Sequence, residues 1–88
     1  MNTSRWTVCF ERAADRDLRR LDPPVRGRVL AAIEQLATDP STADLRRLTG
    51  RQESRLRVGD WRVIVQLNRS ARQVVICRVL PRGRAYNR

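Results

Sequence analysis

The 88 residues predict an α+β fold: an N-terminal strand, an αα-hairpin, then a three-strand antiparallel meander, with the helices on one face of a four-stranded sheet. Two patterns carry this. Between Ser54 and Leu67, apolar and polar residues alternate on both sides of Gly59-Asp60, the signature of strands joined by a tight turn. Between Val25 and Ala37, apolar residues recur every three or four positions, the period of a helix with one buried face.

The elements follow in order. Arg5 to Phe10 places Trp6, Val8 and Phe10 on one side and Thr7 and Cys9 on the other, as a strand does. From Glu11 to Leu21 the period lengthens, and Ala14, Leu18 and Leu21 mark a helical face. Asp22-Pro23-Pro24 ends that helix and opens a second, because Asp suits the N-cap and Pro the first turn. Val25, Val29, Ala32, Ile33, Leu36 and Ala37 form the second apolar face, which Asp39-Pro40 terminates. Ser41 to Glu53 is a connection, with a short helical turn expected at Ala43 to Leu48.

Gly at the first turn position suits a type II′ loop at Gly59-Asp60, which sets Val58 opposite Trp61, Arg57 opposite Arg62 and Leu56 opposite Val63. Leu56, Val58, Trp61, Val63, Val65 and Leu67 then share the core face. Arg55, Arg57, Arg62, Ile64 and Gln66 share the other. A polar turn, Asn68 to Arg72, leads to Gln73 to Leu80, which is apolar on both faces except at Arg78 and reads as an interior strand. Pro81 and Gly83 disfavour continuation of the ladder, so the tail through Tyr86 is expected to fold back towards the arginine face.

A chain of this length forms one domain, residues 1–88, which excludes a multidomain enzyme. No apolar run approaches the roughly 18 residues of a membrane span, and no signal-peptide core follows Met1, so a cytosolic location is expected. Without His, and with Cys9 and Cys77 in separate apolar runs, neither a metal site nor another cofactor is expected.

All 19 basic residues are Arg, and the net charge is +10. Residues 1–50 hold nine Arg against seven acids, whereas residues 51–88 hold ten against Glu53 and Asp60 alone. Charge so lopsided points to a polyanionic partner. Four aromatic residues are too few for a platform that stacks single-stranded bases. Directly opposed arginines such as Arg57 and Arg62 repel by some tenths of a kcal/mol, so an anion belongs between them. The planar, permanently charged guanidinium is well made for phosphate.

These features resemble the RelE/ParE superfamily of bacterial toxin–antitoxin modules. The marks are the first strand leading to Ala14 and Leu18, Asp39-Pro40, Leu48-Thr49-Gly50, the string Arg57-Val58-Gly59-Asp60-Trp61-Arg62-Val63-Ile64, and Arg82 to Tyr86. The central string is similar to the RelE-like branch, whose members are ribosome-dependent mRNA interferases silenced by an acidic antitoxin. The resemblance implies an endoribonuclease that inhibits translation, with the ribosome, mRNA and a cognate antitoxin as partners in a hetero-oligomer. It gives Arg62 the scissile phosphate, places Arg55 and Glu53 where some members carry catalytic basic groups, and matches Arg82 and Tyr86 to the C-terminal pair that completes many family sites. Arg51, Arg57, Arg69, Arg72, Arg78 and Arg84 become RNA or ribosome contacts. Pro81 stands where many relatives place His. Two alternatives remain open: a ParE-like DNA gyrase inhibitor, and a toxin-like binding module without strong catalysis.

Overall fold

The structure, a computed structural model, describes residues 5–40, 45–47 and 53–81. The chain runs β1 (Thr7–Phe10), α1 (Arg12–Arg19), α2 (Pro23–Thr38), β2 (Leu45–Arg47), β3 (Glu53–Val58), β4 (Trp61–Asn68) and β5 (Gln73–Pro81). The sheet order is β1-β5-β4-β3-β2. Four of these strands are the ones the alternation predicts. The fifth, β2, is a three-residue edge strand antiparallel to β3, and it lies where a helical turn was expected; pairing with β3 outweighs local helix propensity there.

The central hairpin has the expected register, Val58 opposite Trp61, Arg57 opposite Arg62 and Leu56 opposite Val63. Gly59 has φ +57° and Asp60 stays outside the left-handed region, as a type II′ turn requires. A Cβ on Gly59 would meet nothing within 4 Å, so a substitution there acts through the backbone alone. Gly59→Ala is expected to lower stability by about 1 kcal/mol without touching the core, measurable as a shift of the urea midpoint at unchanged m-value.

Leu56, Val63 and Val65 are buried, with Val58, Trp61 and Leu67 packed against them, so the core face is the one the alternation assigns. The helices supply Ala14 and Leu18 from α1 and Val29, Ile33, Leu36 and Ala37 from α2. Asp22 occupies the N-cap of α2 with extended backbone but makes no side-chain cap bond. Its contribution is its carbonyl, which accepts from the Arg26 N–H at 2.9 Å.

Two features were not legible beforehand. β1 is parallel to β5, with Val8 opposite Val74 and Phe10 opposite Ile76. The β4–β5 ladder slips between Ile64 and Val65, whose partners are Arg78 and Ile76. Cys77 is therefore the extra residue of a bulge on β5, and burial pushes its thiol up to about 11, with the Glu11 and Glu53 charges adding to the effect.

Candidate nucleic-acid interface

Because Leu56 and Val63 point into the helices, their neighbours point the other way, onto the sheet face that neither helix covers. Two rows of residues cross this open face. In one, Arg57 of β3 is opposite Arg62 of β4, which is opposite Leu80 of β5; in the other, Arg55 is opposite Ile64, which is opposite Arg78. The rows lie about 7 Å apart, two residues along a strand. Arg57 is exposed, and Arg55 and Arg62 are half-buried, so their guanidinium groups reach solvent over an apolar floor. Arg55 and Arg57 have no ion-pair partner among the described residues.

Arg78 belongs to this face by register but is held at its edge. Beyond Phe10 the strand β1 ends, and α1 runs beside the uncovered half of β5. There the Asp17 carboxylate accepts from Arg78 Nε at 2.8 Å, Arg78 Nη2 at 3.2 Å and the Val79 N–H at 2.9 Å. Burial alone would raise the Asp17 pKa, but the bonds from Arg78 and Val79 outweigh it and hold the carboxyl below its usual range. The same hydrogen bond raises Arg78. Asp17 thus does for the β5 edge what a neighbouring strand would do.

The remaining site residues fall elsewhere. Arg69 and Arg72 sit in the turn after Asn68, at the far end of β4 and about 20 Å along the strand from Arg62. Arg72 adopts φ +55°, and its carbonyl accepts from the Thr7 N–H, tying the turn to β1. Arg51, Arg82, Arg84 and Tyr86 lie outside the described residues.

Two arginines away from the open face, Arg26 of α2 and Arg5 ahead of β1, are structural. Arg26 donates to the carbonyls of Leu18 at 3.0 Å and Leu21 at 2.8 Å, closing the C-terminal end of α1. Arg5 grips Glu34 through Nε at 3.2 Å and Nη2 at 2.6 Å. The helix side also carries a cleft of about 370 Å³ lined by Phe10, Leu18, Leu30, Asp15, Arg19 and Arg26. Phe10 and Leu30 are the exposed large hydrophobics among the described residues.

No group of His, Cys, Asp and Glu able to hold a metal occurs among the described residues, and no described helix is long and apolar enough to cross a membrane. With Arg57 opposite Arg62 and Arg55 two residues along the strand, the open face presents grouped guanidinium donors of the kind that hold phosphate and stabilise charge developing on it.

The toxin–antitoxin complex RelBE2 from Mycobacterium tuberculosis is similar at TM-score 0.79 and 26% identity, over 92% of this chain and 95% of that one. The archaeal RelE–RelB complex from Pyrococcus horikoshii OT3 gives 0.78 and 27%, over 96% and 99%. The isolated E. coli RelE toxin shares the fold at 0.76, with 14% identity over 86% and 83%. No curated protein sequence matches the chain. The family model for the ParE toxin of type II toxin–antitoxin systems, parDE, matches residues 8–86. The chain belongs to that family, within the RelE/ParE superfamily, and is a toxin of a type II toxin–antitoxin system.

Proposed function

We propose that this toxin is a ribosome-dependent mRNA endoribonuclease that acts through its open sheet face. The observation that carries this reading is the opposed pair Arg57 and Arg62, with Arg55 one pleat away. Cleavage by 2′-hydroxyl attack needs the nucleophile aligned and the phosphorane charge stabilised. Arg62 is assigned the charge term, Arg55 and Arg82 orient the phosphate, and Tyr86 stacks on a base or assists proton transfer. Arg51, Arg57, Arg69, Arg72, Arg78 and Arg84 hold RNA or ribosome by phosphate contacts. With no His in the chain, catalysis rests on electrostatics rather than on a base near neutral pKa.

Primer extension on mRNA from programmed ribosomes tests this directly: discrete cleavage is expected with the wild-type toxin. Absence of cleavage, together with gyrase poisoning in the same extract, would transfer the assignment to the second reading. That reading, a ParE-like gyrase inhibitor, is favoured by the family match itself.

The partner proposed is an antitoxin, since the similar structures are toxin–antitoxin and RelE–RelB complexes, and the net charge of +10 on this chain calls for an acidic one. An amphipathic segment would cover Phe10 and Leu30 with its apolar side while its carboxylates meet the surrounding positive charge. Because such binding is strongly electrostatic, the affinity of the cognate antitoxin is expected to fall markedly between low and physiological salt. Titration at several ionic strengths measures it, and a flat response would remove the acidic-partner assignment.

A further inference from the structure

Asp17 does more than the backbone beside it requires. The N–H of the buried Val79 needs one acceptor, and Asp17 Oδ2 supplies it at 2.9 Å; a neutral amide oxygen would serve that end. The carboxylate also accepts from Arg78, with Nε on Oδ2 at 2.8 Å and Nη2 on Oδ1 at 3.2 Å. On a chain of net charge +10, an acid beside a face that binds RNA repels the phosphates. What its charge contributes is the hold on Arg78.

The geometry of that hold is specific. A guanidinium presents its N–H donors in one rigid plane. Asp17 occupies the side formed by Nε and Nη2, which leaves both Nη1 donors and the outer Nη2 donor facing away from the carboxylate. The pair is also unequal in exposure: the Asp17 side chain is 11% exposed and that of Arg78 is 47%, so the anion is covered and the cation is turned outward. Leu80 is opposite Arg62, and Arg78 stands two residues before Leu80. Arg78 is therefore a diagonal neighbour of Arg62, about 7–8 Å away and within reach of long side chains. Arg55 and Arg57, with no ion-pair partner among the described residues, lose rotamer freedom when they bind, whereas Arg78 is ordered beforehand. We infer that Asp17 is a positioning residue for RNA binding: it holds one side of the Arg78 guanidinium so that the other side takes a phosphate next to the one at Arg62. This assignment rests on the reading of the open face as the RNA surface and adds the residue that orients one of its contacts.

The test is fluorescence anisotropy with a short single-stranded RNA carrying 2′-O-methyl riboses, which cannot be cut by 2′-hydroxyl attack. Asp17→Asn removes a negative charge, so simple attraction would make it bind RNA more tightly. Positioning predicts the opposite sign, with binding about three- to tenfold weaker, the loss expected when one long side chain must be ordered on binding. Arg78→Ala should lose at least as much, and in that background Asp17→Asn should weaken binding no further. Arg78→Lys, which leaves Asp17 in place and keeps the charge but not the planar fork, is the second variant and should also lose about three- to tenfold. Circular dichroism at the assay temperature shows that each variant is folded; a purely structural role for Asp17 would weaken binding equally in both backgrounds. That equality would overturn the proposal, as would tighter or unchanged binding by Asp17→Asn, wild-type affinity in Arg78→Lys, or a wild-type toxin that does not bind the RNA. The expected coupling in a toxin that leaves mRNA uncut on programmed ribosomes would remove the cleavage reading alone, and cleavage without the coupling would remove the role of Asp17 alone.

Discussion

Arg62→Ala is expected to lower the single-turnover cleavage rate on programmed ribosomes by about 10²- to 10³-fold while leaving ribosome affinity nearly unchanged. Arg62 lies on the open face, opposite Arg57 and Leu80, while its neighbour Val63 points into the core. Only interactions stronger in the transition state than in the ground state raise the chemical rate, and a guanidinium aimed at a phosphate whose charge is growing is one of these. Arg69→Ala should behave in the opposite way. Its position beyond the far end of β4 suits it to docking, so affinity and its salt slope should fall while the saturated rate holds. Cleavage measured against toxin concentration separates the two cases. A wild-type saturated rate in Arg62→Ala would make Arg62 a docking residue.

Asp17→Ala is expected to lower folding stability by about 2 kcal/mol at neutral pH. The Val79 N–H sits on a buried residue and would lose its acceptor, which by itself costs about 1 to 3 kcal/mol. The Arg78 arm adds less, because that side chain is 47% exposed and solvent screens the pair. Asp17→Asn retains an acceptor for Val79 and should recover about half of the loss. The pH dependence has a definite sign. A carboxyl whose folded pKa lies below its ordinary 3.8 contributes its stability above that value and loses it as pH falls through the depressed pKa. The gap between wild type and Asp17→Ala should therefore be widest near neutrality and narrow in the most acidic buffers, as read by urea midpoints across pH. A gap independent of pH would mean that Asp17 acts by packing rather than by charge.

The placement of Arg55, Arg57 and Arg62 on one sheet face was legible because it depends on short-range rules. A strand alternates with period two, and a two-residue turn fixes which residues oppose each other, so Arg57 and Arg62 were paired by counting from Gly59. The apolar face of α2 follows in the same way from its 3.6-residue period. Arg26, by contrast, looked like a solvated helix charge, because nothing in the local pattern shows that the last carbonyls of α1 lie within its reach. The edge strand β2 was likewise hidden, since a three-residue strand is too short to carry a period and exists because β3 is there to pair with it.

The sequence by itself determined the order of the main elements, the core face of each, the central register and the excess of positive charge at the C-terminal half. Each of these is written in residues a few positions apart. Only the tertiary structure decided that β1 enters the sheet parallel to β5, that Cys77 bulges out of the ladder, and that Asp17 closes the β5 edge by binding a residue 62 positions away. Such pairings are set when packed elements compete for the same unsatisfied backbone groups. Chain periodicity carries no information about that competition.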